Sequence, residues 1–223
     1  MIRMIVFDMA GTVVNEDNVV YKTLQKSINE AGHSFTLDQV LAIGAGKEKL
    51  QAIKDILQLS SKERDDEFVN SIYKTFITLL ATAYERMEIK AQPGAEELFV
   101  KLKEKGIYVV INTGYDLKTA ESIMKKVGWE EGNQVDALVT ASHVAHNRPN
   151  PDMIEFAKKK FSLANSLEII KVGDSAIDIE EGRNAGCAVT IGITTGAQTR
   201  EQMQLANPDY VIDSLMEILP LLA

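Results

Sequence analysis

Six short β-rich runs alternate with amphipathic helical segments over most of this 223-residue chain: Ile2 to Phe7, Ile107 to Asn112, Ala137 to Thr140, Glu168 to Val172, Cys187 to Ile191 and Tyr210 to Ile212. Parallel strands need crossovers long enough to hold a helix, so this alternation predicts an α/β fold in which a parallel sheet is covered on both faces. The helix ends are marked. Pro93 and Gly94 open one helix, which closes at Gly106; Asn150 caps another, with Pro151 in the first position where its missing N–H costs nothing; Ala176 to Ala185 forms a third. With 45% hydrophobic residues and no low-complexity tract, the chain can bury a core without staples, and its single cysteine, Cys187, cannot form an internal disulfide.

One region breaks the alternation. Between Glu16 and Glu88 only helical periodicity is found: Val20, Leu24, Ile28 and Ala31; then Leu50, Ile53 and Leu57; then Phe68, Ile72, Phe76, Leu79, Ala83 and Met87. Thr36-x-x-Gln39 and Ser60-x-x-Glu63 have the form of capping boxes, and SSKERDDE reads as a solvated turn. The expected organisation is a helical domain, residues 16–88, inserted into an α/β core of residues 1–15 and 89–223.

A formal charge of −8 argues against general affinity for nucleic acid or anionic membrane, so an anionic ligand must be held by local groups. No run approaches the roughly 20 apolar residues that cross a bilayer, and the N-terminus enters a strand without a basic and then apolar leader. A cytoplasmic location is the expectation, and the oligomeric state stays open, a homodimer included.

Ligands of open α/β sheets bind beyond the carboxyl ends of the strands. The loops there are FDMAGT, INTGYD, VTASHVAHNRPNPD and VGDSAIDIEEG. They carry a carboxylate, Asp8, a hydroxyl, Thr113, a cation, Arg148, and paired carboxylates, Asp174 and Asp178. Asp8 with Asp174 suits a hard oxygen-loving cation such as Mg²⁺. Each Asp alone could equally cap the helix after its strand. Four such loops on one rim supply what phosphoryl transfer needs, a nucleophile and charge neutralisation around the moving group.

In order and spacing, FDMAGT, NTGYD, NRPNPDM and KVGDSAIDIEEGRNAG resemble the motifs of the haloacid dehalogenase (HAD) superfamily, and within it the phosphonatase and phosphonatase-like branch. The resemblance implies a Rossmann-like core with a C1-type helical cap. It implies that Asp8 is the nucleophile that forms an aspartyl-phosphate and is also a Mg²⁺ ligand. The Ala10 carbonyl and Asp174 would be further ligands, with Asp178 beside them. Thr113 and the amides near Gly11, Thr12 and Gly114 would hold phosphoryl oxygens, Tyr115 would lie against the substrate, and Arg148 would orient nucleophile and phosphate.

The residue two after the nucleophile is an Asp in the phosphatases of the superfamily, where it protonates the leaving oxygen. Here it is Ala10. General acid catalysis is typically worth 10²- to 10⁴-fold, so an ester hydrolase lacking it should be slow. The phosphonatase branch instead cleaves a P–C bond, and a cap lysine forms an imine that accepts the departing electrons. Its lysine position falls on Lys47 in IGAGKEKLQAIKDIL, with Gly44 as the motif glycine. Periodicity by itself does not choose between Lys47, at the edge of the apolar stripe, and Lys49, nearer its centre. The family's methionine and histidine flanking that lysine are replaced by Ile43 and Leu50, which leaves its proton transfers to Tyr115, solvent or the substrate.

His143 and His146 lack a third ligand in the pattern and read as loop residues, Cys187 as a small core residue, Trp129 as core or surface, and FAKKKF as a solvated face with aromatics turned inward. The favoured expectation is an Mg²⁺-dependent hydrolase of a small phosphonate, phosphonoacetaldehyde. A phosphatase for a small organic phosphate and a non-catalytic phosphate-binding protein are the alternatives.

Overall fold

Met4–Asp8 (β1) is apolar until its last residue and is buried throughout, as a central strand covered on both faces must be. The computed structural model describes residues 1–60 and 65–222. Around β1 lie Tyr108–Thr113 (β4), Ala137–Thr140 (β5), Ile169–Gly173 (β6), Val189–Ile193 (β7) and Tyr210–Ile212 (β8), in the all-parallel order β5-β4-β1-β6-β7-β8. The sequence order switches direction on either side of β1, so the crevice at its carboxyl end is the expected ligand site. The crossover helices are Ala95–Glu104 (α5), Leu117–Val127 (α6), Asp152–Lys160 (α7), Ala176–Asn184 (α8) and Arg200–Leu205 (α9).

One helix start and one strand start are shifted from expectation. Pro151 is itself the cap residue of α7, and Asn150 instead donates to the Asn147 carbonyl at 2.9 Å. The strand expected from Cys187 begins at Val189, because the Cys187 amide still closes the end of α8 by donating to the Gly182 carbonyl at 2.9 Å.

Among the described residues, four helices fill the interval between two short strands, Val14–Asn15 (β2) and Lys90–Ala91 (β3): Val19–Glu30 (α1), Leu37–Gly44 (α2), Lys49–Leu57 (α3) and Asp66–Arg86 (α4). The two strands pair antiparallel and tie together the chain's way into and out of this helical layer, a ribbon the sequence pattern did not announce. The Thr36–Gln39 capping box is formed in both directions. The second expected box ends on Glu63, outside the described residues, as does much of the SSKERDDE turn; α4 is capped by Asp65, which accepts from the Phe68 amide at 2.8 Å. The buried stripe of α4 is Val69, Ile72, Phe76, Leu80 and Tyr84, one residue beyond the expected Leu79 and Ala83 in its second half. That rotation turns a phenol, not an alanine, toward the core domain.

The cap meets the core at Gly46. Its φ is +71°, and a Cβ there would overlap Ile177 and the Ser175 hydroxyl. Across the seam, a Cβ on Gly114 would stand 3.2 Å from the Lys47 carbonyl, so both loops need bare backbone to touch. Gly32 has φ +94° but faces open space. Gly46→Ala should therefore hold the cap off the core and increase the labelling of the buried Lys49 amine by an acylating reagent. Gly32→Ala, which carries only the backbone strain, should leave that labelling unchanged; equal labelling in both variants would mean that Gly46 does not control closure.

Candidate active site

Asp8 stands at the carboxyl end of the central strand and is 5% exposed. Arg148 reaches it from the loop after β5, with Nη1 2.6 Å from Asp8 Oδ1 and 3.1 Å from Asp178 Oδ1. The same guanidinium donates through Nε to Glu181 Oε2 at 2.9 Å, and through Nη2 to the Asn112 carbonyl and side-chain oxygens at 3.1 and 2.6 Å. A planar fork of five donors can serve this many acceptors at once, whereas an ammonium could not. Lys171, fully buried in β6, adds a second cation: its Nζ lies 2.8 Å from Asn112 Oδ1, 3.1 Å from Asp178 and 3.3 Å from Glu181. Asp178 and Glu181 are three apart on α8 and so present their carboxylates on one face.

Asp8, Asp174 and Asp178 offer oxygens that all lie within 4.8 Å of one another. Four carboxylates, Asp8, Asp174, Asp178 and Glu181, are thus gathered around two cations, Arg148 and Lys171. Burial, reinforced by Asp8 and Asp178, pushes Asp174 well above the usual carboxylate range, although it accepts from the Ala197 amide at 2.5 Å. Asp8 is also raised, by burial, against the pull of Arg148. For Asp178 burial is outweighed by Arg148 and Lys171, which hold it below the usual range. Glycines complete the cradle: a Cβ on Gly11 or Gly196 would run into the Asp174 carboxylate. A buried, glycine-walled set of carboxylates with surplus negative charge fits a hard divalent cation.

The other expected residues fall on the same rim. Thr113 is buried and its Oγ1 accepts from the Tyr115 amide at 3.2 Å. Thr12 Oγ1 is buried with no hydrogen-bond partner among the described residues. Ala10 is half-buried, followed by Gly11 with φ +86°, whose amide donates to the Val14 carbonyl at 2.8 Å.

The cap lysines are arranged otherwise than the family pattern suggests. Lys47, the expected amine, turns its Nζ to Asp55 in a partly exposed ion pair on the cap itself. Lys49 is the buried one, 6% exposed. Its Nζ donates to the Lys47 carbonyl at 2.6 Å and lies 5.4 Å from the ring centroids of both Tyr21 and Tyr115. Burial lowers the proton affinity of its amine, opposed first by the charge of Asp8 and then by Glu48. The physical reason is the helix start: α3 begins at Lys49, and its first residue faces the seam, while Lys47 belongs to the preceding loop, whose carbonyl, not its side chain, meets Gly114.

Sequence reasoning missed a second buried group. Glu16, at the entry to the cap, accepts from the Tyr84 hydroxyl and, at 3.3 Å, from the Tyr115 hydroxyl; the two phenol oxygens are 3.0 Å apart. Burial pushes the Glu16 carboxyl up to about 7, against these hydrogen bonds and the charge of Lys49. Asn112, Lys171 and Glu181 were also missed. A lysine inside the apolar run IIKVG was the available signal for Lys171.

Residues set aside from the chemistry stay aside. His143 accepts from the Thr140 amide at 2.9 Å and stacks on Phe156, and His146 lies 3.1 Å from Asp152. Trp129 is buried edge-on to Phe99 and donates to Glu96 at 3.0 Å. Phe161 of FAKKKF turns inward onto Tyr108, but Phe156 is 39% exposed.

The chain matches the haloacid dehalogenase-like hydrolase family over residues 5–192. It belongs to that family. Among curated relatives it is 25% identical over 256 residues to phosphonoacetaldehyde hydrolase of Latilactobacillus sakei, covering 100% of this chain and 95% of that protein. It is 26% identical over 231 residues to pyrophosphatase PpaX of Anoxybacillus flavithermus, covering 99% and 97%. Its fold is that of a phosphonoacetaldehyde hydrolase-like protein from Oleispira antarctica, with a TM-score of 0.83 and 23% identity over 99% of this chain and 91% of the other. HAD hydrolases generally use Mg²⁺, and the Asp8, Asp174 and Asp178 cluster could hold such an ion. No helix among the described residues is long and apolar enough to cross a membrane.

Glu16 yields a stability test. Because its folded proton affinity is raised, its contribution is complete below the ordinary carboxyl range and is lost as pH rises through about 7. Glu16→Gln removes this dependence. Denaturant unfolding of the two proteins should show the variant gaining on the wild type, by on the order of 1–3 kcal/mol, between mildly acidic and mildly alkaline pH. A difference that stays constant with pH would mean that Glu16 keeps its charge when buried.

Proposed function

We propose that this hydrolase is Mg²⁺-dependent and cleaves the P–C bond of a small phosphonate aldehyde, phosphonoacetaldehyde being the favoured substrate, with Asp8 as nucleophile and Lys49, in place of Lys47, as the imine-forming amine. The observation that carries this reading is a pairing: Ala10 removes the acid that an ester leaving group needs, and the cap delivers a buried lysine with lowered proton affinity to the same rim. The L. sakei relative, named for this reaction and aligned over the whole chain, supports it.

Asp8, the Ala10 carbonyl, Asp174 and Asp178 are the residues that would hold the cation. Bound there, it would neutralise the surplus carboxylate charge and the phosphoryl oxygens. The chain's own groups supply the rest. The neutral Lys49 amine adds to the aldehyde carbon, and loss of water with uptake of one proton from solvent gives a protonated imine whose nitrogen carries the positive charge. A carboxylate oxygen of Asp8, oriented by Arg148 Nη1, attacks phosphorus as the P–C bond breaks, and the bonding pair passes into an enamine ending at Lys49 Nζ. Protonation of the enamine carbon and hydrolysis of the imine release acetaldehyde, and water cleaves the aspartyl-phosphate to phosphate. Thr113 and the amides of Thr12 and Gly114 serve as phosphoryl donors, the Gly11 amide being taken by the Val14 carbonyl, and closure of the cap keeps water out until the imine has formed.

A second reading has one observation in its favour: the pyrophosphatase relative aligns just as completely. It makes the chain a phosphatase for a small organic phosphate, with substrate or solvent in place of the missing acid.

Borohydride added with phosphonoacetaldehyde should inactivate the protein and leave a reduced adduct on Lys49. Lys49→Ala should lose phosphate release from this substrate, whereas Lys47→Ala should keep most of it. Full activity of Lys49→Ala would end the imine mechanism at that residue. Ala10→Asp should raise hydrolysis of ordinary phosphate esters by about tenfold or more; if the unaltered protein already prefers such esters to the aldehyde, the phosphatase reading holds. Chelation should abolish either activity and Mg²⁺ restore it.

A further inference from the structure

Glu16 takes no part in the steps above, yet it is buried where cap and core meet. Its hydrogen-bond partners come from separate segments: the Tyr84 hydroxyl of α4, the Tyr115 hydroxyl of the loop after β4, and the Val20 amide of α1. A buried carboxylate without a bonded cation costs several kcal/mol, and an apolar side chain would hold this seam more cheaply. Packing therefore does not account for it.

We propose that Glu16 acts through Tyr115 as the positioning residue of the Lys49 amine, a role that rests on the imine reading above. The Tyr115 ring is held at its oxygen by Glu16 and Tyr84, and its face bears the Lys49 ammonium. Fixing the oxygen fixes the ring plane, and the plane, with that of Tyr21 and the Lys47 carbonyl, sets where Nζ lies. The carboxylate also contributes charge. When the neutral Nζ adds to the aldehyde, the carbonyl oxygen leaves as water and one proton is taken up from solvent, so that the nitrogen keeps one N–H and a positive charge. Breaking the P–C bond then sends its electron pair to that nitrogen. A negative group on the far side of the aromatic ring favours the cation on which this electron flow depends.

Leu50 occupies the place of the family's histidine and offers nothing of the kind. The groups that face Glu16 are Tyr84, Tyr115, Lys49 and the Val20 amide, and Tyr21 senses its charge from α1. Lys49 is the cation among them. Uptake of a proton by Glu16 near pH 7 withdraws the negative charge from the seam.

The test uses acetaldehyde, an aldehyde without phosphorus, with borohydride, and reads the adduct on Lys49 by mass spectrometry across the acid and neutral range. Wild type should trap with an inflection near 7. Glu16→Gln keeps an acceptor for the phenols but no charge; its trapping rate should fall about tenfold, lose that inflection, and be matched by a similar loss of kcat on phosphonoacetaldehyde at nearly constant KM. Tyr84→Phe deprives the carboxylate of a donor and should move the inflection to higher pH. If Glu16→Gln traps and turns over like wild type while both carry the Lys49 adduct, the role of Glu16 is overturned and the imine reading stands. An absent adduct in wild type removes both. Should Glu16→Gln fail to fold, an unmoved inflection in Tyr84→Phe overturns the proposal by itself.

Discussion

The guanidinium of Arg148 is the interaction on which the site depends. It is buried, and it donates hydrogen bonds to Asp8, Glu181 and Asn112 while pairing its charge with Asp178 at 3.1 Å. Removing any one carboxylate from water costs several kcal/mol, and an attraction of comparable size is available only where geometry is good and every donor is used. Burial lowers the guanidinium's affinity for its proton, but Asp178, Glu181 and Asp8 more than reverse this, so the cation is permanent. Strand β1 brings Asp8, β4 the asparagine, and α8 two acids, and a fixed charge binds them together.

The seam with the cap follows a different logic. Its contacts are bare backbone, three phenols and two groups of altered proton affinity, Glu16 and Lys49. Its hydrogen bonds join Glu16, Tyr84 and Tyr115 across the seam. Tyr21 accepts from the Gly46 amide at 2.8 Å, so the same cap helix that shelters the amine also holds the loop that lies on Ser175 and Ile177.

Much of this was legible in the sequence. The strand alternation, the helical interruption and the loops with Asp8, Thr113, Arg148, Asp174 and Asp178 all announce themselves through period and position, because parallel strands and their carboxyl-end loops are local patterns. What stayed hidden is long-range. Glu16 meets Tyr84 across 68 residues and Tyr115 across 99, and nothing in NEDN distinguishes a buried acid from a solvated one. The ribbon of β2 and β3 is too short to show a period. The choice between Lys47 and Lys49 turned on where α3 starts. The helical wheel placed Lys49 nearer the apolar stripe, whereas the family spacing pointed to Lys47; the wheel describes the burial actually found.

That two-residue displacement has a chemical consequence. Lys49 is the first residue of α3, and Glu48, its cap, accepts from the Leu50 and Gln51 amides at 2.9 Å. The positive end of the helix and burial both disfavour an ammonium, while Asp8, Glu48 and Glu16 favour it. An amine under such opposed influences can reach its neutral, nucleophilic form without leaving the charged form out of range. Lys47 is instead paired with Asp55 at the cap surface. The core is locked by fixed charge, whereas which of two neighbouring lysines lies buried at the seam is decided by the first turn of one helix.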